Sequence, residues 1–63
     1  MLRKGSLIEI ISGPLEQEFK GQTLEVINSP FTNLNIIFIN IRGCDGKAFR
    51  GWYAVSSIKV INY

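Results

Sequence analysis

At 63 residues, with no histidine and one cysteine, the chain reads as a single domain, residues 1–63, that has neither a disulfide nor a Cys/His zinc set to staple it. A core this small leaves only about 3–5 kcal/mol of net stability and little room for a pocket that buries a substrate. The formal charge of +2 is a weak bias, and the lack of histidine removes the commonest general base near neutral pH, so catalysis is set aside and no cofactor or metal is expected.

The charge is unevenly laid out. Glu9, Glu16, Glu18 and Glu25 fall in the opening stretch, whereas Arg42, Lys47, Arg50 and Lys59 follow it with only Asp45 opposed. That asymmetry suggests a basic face able to meet phosphates. The alternative is ordinary solvated surface charge. Met1-Leu2-Arg3-Lys4 leads into Gly5 and Ser6 with no apolar run of leader or membrane-span length, so a reducing, cytoplasmic compartment is the expectation.

In chain order, Ser6 to Ser12 alternates with Ile8 and Ile10 on one face and predicts a first strand. Gly13-Pro14 stops it, because proline has no N–H for a ladder and glycine accepts positive φ. Leu15 to Lys20 forms a loop with Leu15 and Phe19 as its apolar members, closed by Gly21. Gln22 to Ile27 resumes alternation as a second strand, and Asn28-Ser29-Pro30 breaks it.

Asn35 to Ile41 is the most apolar stretch, a third strand with Ile36 and Phe38 on one face and Ile37, Ile39 and Ile41 on the other. The isoleucine face either lines an interface with another chain or is covered by residues 28 to 34, with Phe31 over it. Asp45-Gly46 signals a hairpin turn into a fourth strand, Ala48 to Val55. Phe49, Gly51, Tyr53 and Val55 share one face of that strand, Arg50 and Trp52 the other. Ser56-Ser57 is a short break, and Ile58 to Ile61 makes a fifth strand. No helix is expected. The fold class is all-β, five short strands in a sandwich or small five-stranded barrel.

Two sets of residues stand out. Arg42, Lys47, Arg50 and Trp52 form a candidate nucleic-acid site, in which the cations meet phosphates while Trp52 stacks on a base, or Trp52 instead packs over the barrel end. Leu15 and Phe19 form a candidate protein-docking tip in the Gly13–Gly21 loop, although an aromatic beside a closing glycine also suits a plug for the barrel mouth. Cys44, flanked by Asp45, reads as an incidental surface thiol.

Gly5, Leu7-Ile8-Glu9-Ile10-Ile11, Gly13-Pro14, Gly21 and Leu24-Glu25-Val26-Ile27 together resemble the KOW motif of NusG-type transcription elongation factors and several ribosomal proteins. Trp52-Tyr53-Ala54-Val55-Ser56-Ser57-Ile58-Lys59-Val60 is similar to the closing segment of that family. The resemblance implies an SH3-like barrel that acts as a binding module for RNA or a ribonucleoprotein, with a protein partner at the Gly13–Gly21 loop. Two departures are that this loop is one residue longer than the NusG-type pattern and that Leu15 stands where an aromatic is frequent. The chain also resembles small SH3-like subunits at the periphery of photosynthetic complexes. The competing expectation is therefore a protein-protein adaptor, a peripheral subunit of a larger complex, photosynthetic or phage-encoded, with no nucleic-acid role.

Overall fold

The computed structural model describes residues 2–63. Strand β1 (Leu7–Ile10) leads through a single helical turn, α1 (Glu16–Phe19), to β2 (Leu24–Val26) and β3 (Phe31–Asn33). The long strands β4 (Ile36–Arg42) and β5 (Ala48–Ala54) follow, then a 3-10 turn (Val55–Ser57) and β6 (Ile58–Asn62). All pairings are antiparallel. β6, β1 and β2 lie side by side, β2 and then β3 run along one edge of β4, and β5 occupies its other edge. The sheet curls into a half-barrel, a small all-β architecture compatible with the SH3-like barrel that the resemblance implies.

Burial follows that alternation. Ile8 and Ile10 of β1, Leu24 and Val26 of β2, Ile37, Ile39 and Ile41 of β4 and Tyr53 of β5 make one core. Of the two alternatives for the isoleucine face of β4, burial within the chain is the one found: Ile39 and Ile41 are wholly buried among side chains of their own chain. Phe31 does not supply the cover. It turns to the outer face and is 63% exposed.

β3 is an addition to the expected five strands. Between the pairs Val26↔Ile41 and Phe31↔Phe38 the β2–β3 side spans five residue steps against three on β4. Asn28, Ser29 and Pro30 form that bulge, and pairing with β4 resumes beyond it. α1 is the other addition. Phe19 N–H donates to Leu15 O (3.1 Å), and the turn folds the Phe19 ring into the core at 1% exposure.

Tyr53 fastens the first loop to the barrel. Its hydroxyl donates to Ser12 O (2.7 Å) and accepts from Leu15 N–H (3.1 Å). Gly13 holds φ +91° directly against that hydroxyl, where a Cβ would collide with it. Ser12 Oγ donates to Ser57 Oγ (2.8 Å), tying the same loop to the 3-10 turn. Among the described residues no helix is long and apolar enough to cross a membrane.

Candidate nucleic-acid interface

The outer face of β3, β4 and β5 is built by register. Phe31 lies opposite Phe38 and Phe38 opposite Trp52, so one aromatic from each of three adjacent strands forms a row across the sheet. Trp52 meets both phenylalanines edge to face. Its centroid is 6.0 Å from Phe31 at 73° and 5.4 Å from Phe38 at 75°. The core has taken the opposite face of each long strand, which leaves Trp52 46% exposed.

The next row along the sheet pairs Asn40 with Arg50. The Arg50 guanidinium carbon lies 5.9 Å from the Phe38 centroid, a cation–π distance, and its side chain has no carboxylate partner among the described residues. Arg50 and Trp52 thus share one patch with Phe38 and Phe31. Arg42 stands farther along β4, opposite Ala48, and its Nη2 donates to Glu25 Oε1 at 3.3 Å. With both side chains about half exposed, that pair contributes under about 1 kcal/mol. Lys47 sits at the hairpin turn, where its backbone N–H donates to Asp45 Oδ1 (3.0 Å) and an acid accompanies its charge.

Two residues of this patch, Phe31 and Phe38, lie outside the sequence-derived set. A signal for Phe38 exists in the sequence. Alternation places Phe38 away from Ile37, Ile39 and Ile41 and Trp52 away from Tyr53, and the three-residue loop 44–46 then sets residue 38 opposite 52. Phe31 had none, because it follows Pro30 in a stretch that reads as a breaker.

The docking tip is corrected at Phe19, which is a core plug and unavailable to a partner. Leu15 is half-buried and packs against the core. What the loop does present is Pro14. Together with Gly13 it borders a shallow groove of about 300 Å³ whose other wall is Ile36, Trp52 and Ala54. Beyond the groove, Leu34 stands at the tip of the β3–β4 hairpin, 90% exposed and at φ +56°, a conformation unfavourable for a branched side chain.

Comparison of the chain with family models, with characterised proteins and with solved structures returns no match.

Proposed function

We propose that this chain is a non-catalytic binding module of KOW type that holds single-stranded RNA, free or within a ribonucleoprotein of the transcription or translation machinery. The observation that carries the reading is the row Phe31, Phe38, Trp52 across three adjacent strands with the unpaired Arg50 beside it. Every base has a π face, so an exposed aromatic row accepts unpaired bases with little regard to sequence. A guanidinium next to it meets the phosphate that links two stacked bases. Lys47 and Arg42 extend the positive charge toward the hairpin turn. Three cations at most touch the backbone, which sets a log–log salt slope of about −2, roughly a fifteenfold loss of affinity between 50 and 200 mM salt.

Trp52 is the only tryptophan and reports on its own site. Short single-stranded RNA should quench its fluorescence at low salt, and labelled RNA should lose most of its anisotropy change with the Arg50→Ala, Trp52→Ala double variant. No binding at low salt, or binding indifferent to that double variant, overturns the reading.

A second reading, a protein-protein adaptor within a larger complex, draws on the exposed Leu34 tip and the groove between Pro14 and Trp52. Capture from native lysate with and without nuclease separates the two. Partners released by nuclease favour RNA, and partners that stay favour the adaptor.

A further inference from the structure

We infer that β5 is a homodimerisation edge, pairing antiparallel with β5 of a second copy about Gly51. The inference rests on backbone geometry and stands apart from the nucleic-acid reading.

Among the described residues β5 pairs with β4 alone. At one end of that ribbon Gly43 N–H donates to Lys47 O (2.7 Å), and at the other Val55 N–H donates to Asn35 O (2.9 Å). An antiparallel ladder alternates hydrogen-bonded and non-bonded pairs. The register from Ile36↔Ala54 to Arg42↔Ala48 therefore makes Ile37/Tyr53, Ile39/Gly51 and Ile41/Phe49 the bonded pairs between those two ends. Phe49, Gly51 and Tyr53 spend their backbone groups on β4. Ala48, Arg50, Trp52 and Ala54 direct theirs away from it, and all four residues are exposed.

Such an edge is a template for another strand unless something blunts it. The other free edges are blunted: β3 is three residues long, and β6 carries Lys59 on its exposed side. β5 runs seven residues without proline, and its one charge, Arg50, finds an indole opposite it when two copies pair about Gly51.

The occupant follows from self-complementarity. Two β5 strands centred on Gly51 set Arg50 opposite Trp52 of the second copy and Trp52 opposite its Arg50, while Ala48 meets Ala54 in both directions. Every outward backbone group then finds a partner, and a cation faces an indole across each of the two central bonded pairs. Sliding the centre to residue 50 sets like charges opposite each other. Sliding it to residue 52 leaves Ala48 unpaired. On the other face Gly51 meets Gly51, which allows close approach at the dyad, with Phe49 opposite Tyr53 on either side. The dimer is thus a continuous sheet in which the two Trp52 side chains lie on one surface.

Sedimentation equilibrium of the full chain should show the mass rising with concentration from 7.1 kDa toward twice that value. A chain of this length is accessible to synthesis, and an N-methyl group at Arg50 removes one outward donor per copy while keeping every side chain. It should weaken the dimer roughly tenfold or more and leave the circular dichroism of the monomer unchanged. Register is read by cysteines. In a Cys44→Ser background, Ala48→Cys and Ala54→Cys chains should form a disulfide when mixed and not when oxidised separately, because opposite Cα atoms of a bonded pair lie about 5.5 Å apart. A mass fixed at 7.1 kDa up to roughly 1 mM, a dimer indifferent to N-methylation, or equal cross-linking within either variant alone overturns the inference.

Discussion

The Gly13–Gly21 loop and the outer face of β3, β4 and β5 carry similar side chains, aromatics and aliphatics beside charges, and the fold disposes of them in opposite ways. In the loop the apolar residues turn inward. Phe19 is fully buried and Leu15 packs against the same core, although the segment looks like a surface excursion. On the sheet the aromatics turn outward, although they sit in the most regular secondary structure of the chain. The difference comes from what each region leaves open. A curled sheet of short strands has a mouth that a nearby loop must plug, so an aromatic there is worth more inside. β4 and β5 already commit one face to Ile37, Ile39, Ile41 and Tyr53, and period-two geometry then forces Phe38 and Trp52 to the other side.

The sharpest way to break this contrast is to truncate one phenylalanine from each region. Phe19→Ala removes a wholly buried ring and should cost about 3–5 kcal/mol, equal to the entire stability expected of a chain this size. Phe31→Ala removes a ring that is mostly in water and held by one edge contact with Trp52, and should cost under about 1 kcal/mol. Urea melts followed by circular dichroism should find the first variant unfolded without denaturant and the second folding cooperatively. Equal losses would mean that the two faces are not divided as described.

A smaller effect sharpens how the loop is held. Tyr53→Phe keeps the ring in the core but removes the hydroxyl that Ser12 O and Leu15 N–H both use. The cost should be about 1–2 kcal/mol, with amide exchange accelerated at Leu15 and Glu16 more than in β4. Uniform acceleration would show that the hydroxyl supports the whole barrel and not the loop in particular.

How far these regions were legible in the sequence follows the range of the forces that set them. Alternation is local, so the strands around Ile8, Leu24, Ile39, Tyr53 and Val60 could be read directly, and so could the placement of Arg50 and Trp52 on one face. The β4–β5 register was not, because a two-residue Asp45-Gly46 turn would set Phe38 opposite Tyr53, whereas the three-residue loop 44–46, closed by Gly43 N–H to Lys47 O, sets it opposite Trp52. β3 was not. Three residues behind Pro30 carry no pattern of their own, and they become a strand only because β4 offers an edge. α1 is one turn without helical periodicity, and it exists because Phe19 is drawn into the core. Tyr53 reaching Ser12 and Ser6 donating to Tyr63 O (3.2 Å) are contacts between distant parts of the chain, which no local pattern encodes.

The smallest expected effect tests the exposed side of the comparison at the hairpin that precedes β4. Leu34 occupies a left-handed conformation at 90% exposure, so it bears backbone strain and returns almost no burial in exchange. Asparagine tolerates that conformation through its short polar side chain, and Leu34→Asn should stabilise the chain by about 0.5–1 kcal/mol, raising the urea midpoint with no change in slope. The same variant separates the two functional readings. Stacking of RNA on Phe31, Phe38 and Trp52 does not involve the Leu34 side chain and should persist at unchanged affinity, whereas a protein partner seated on the apolar hairpin tip should bind more weakly. If stability falls, the hairpin in solution does not hold residue 34 left-handed. If RNA affinity falls with stability intact, the binding surface extends past the aromatic row to the hairpin tip.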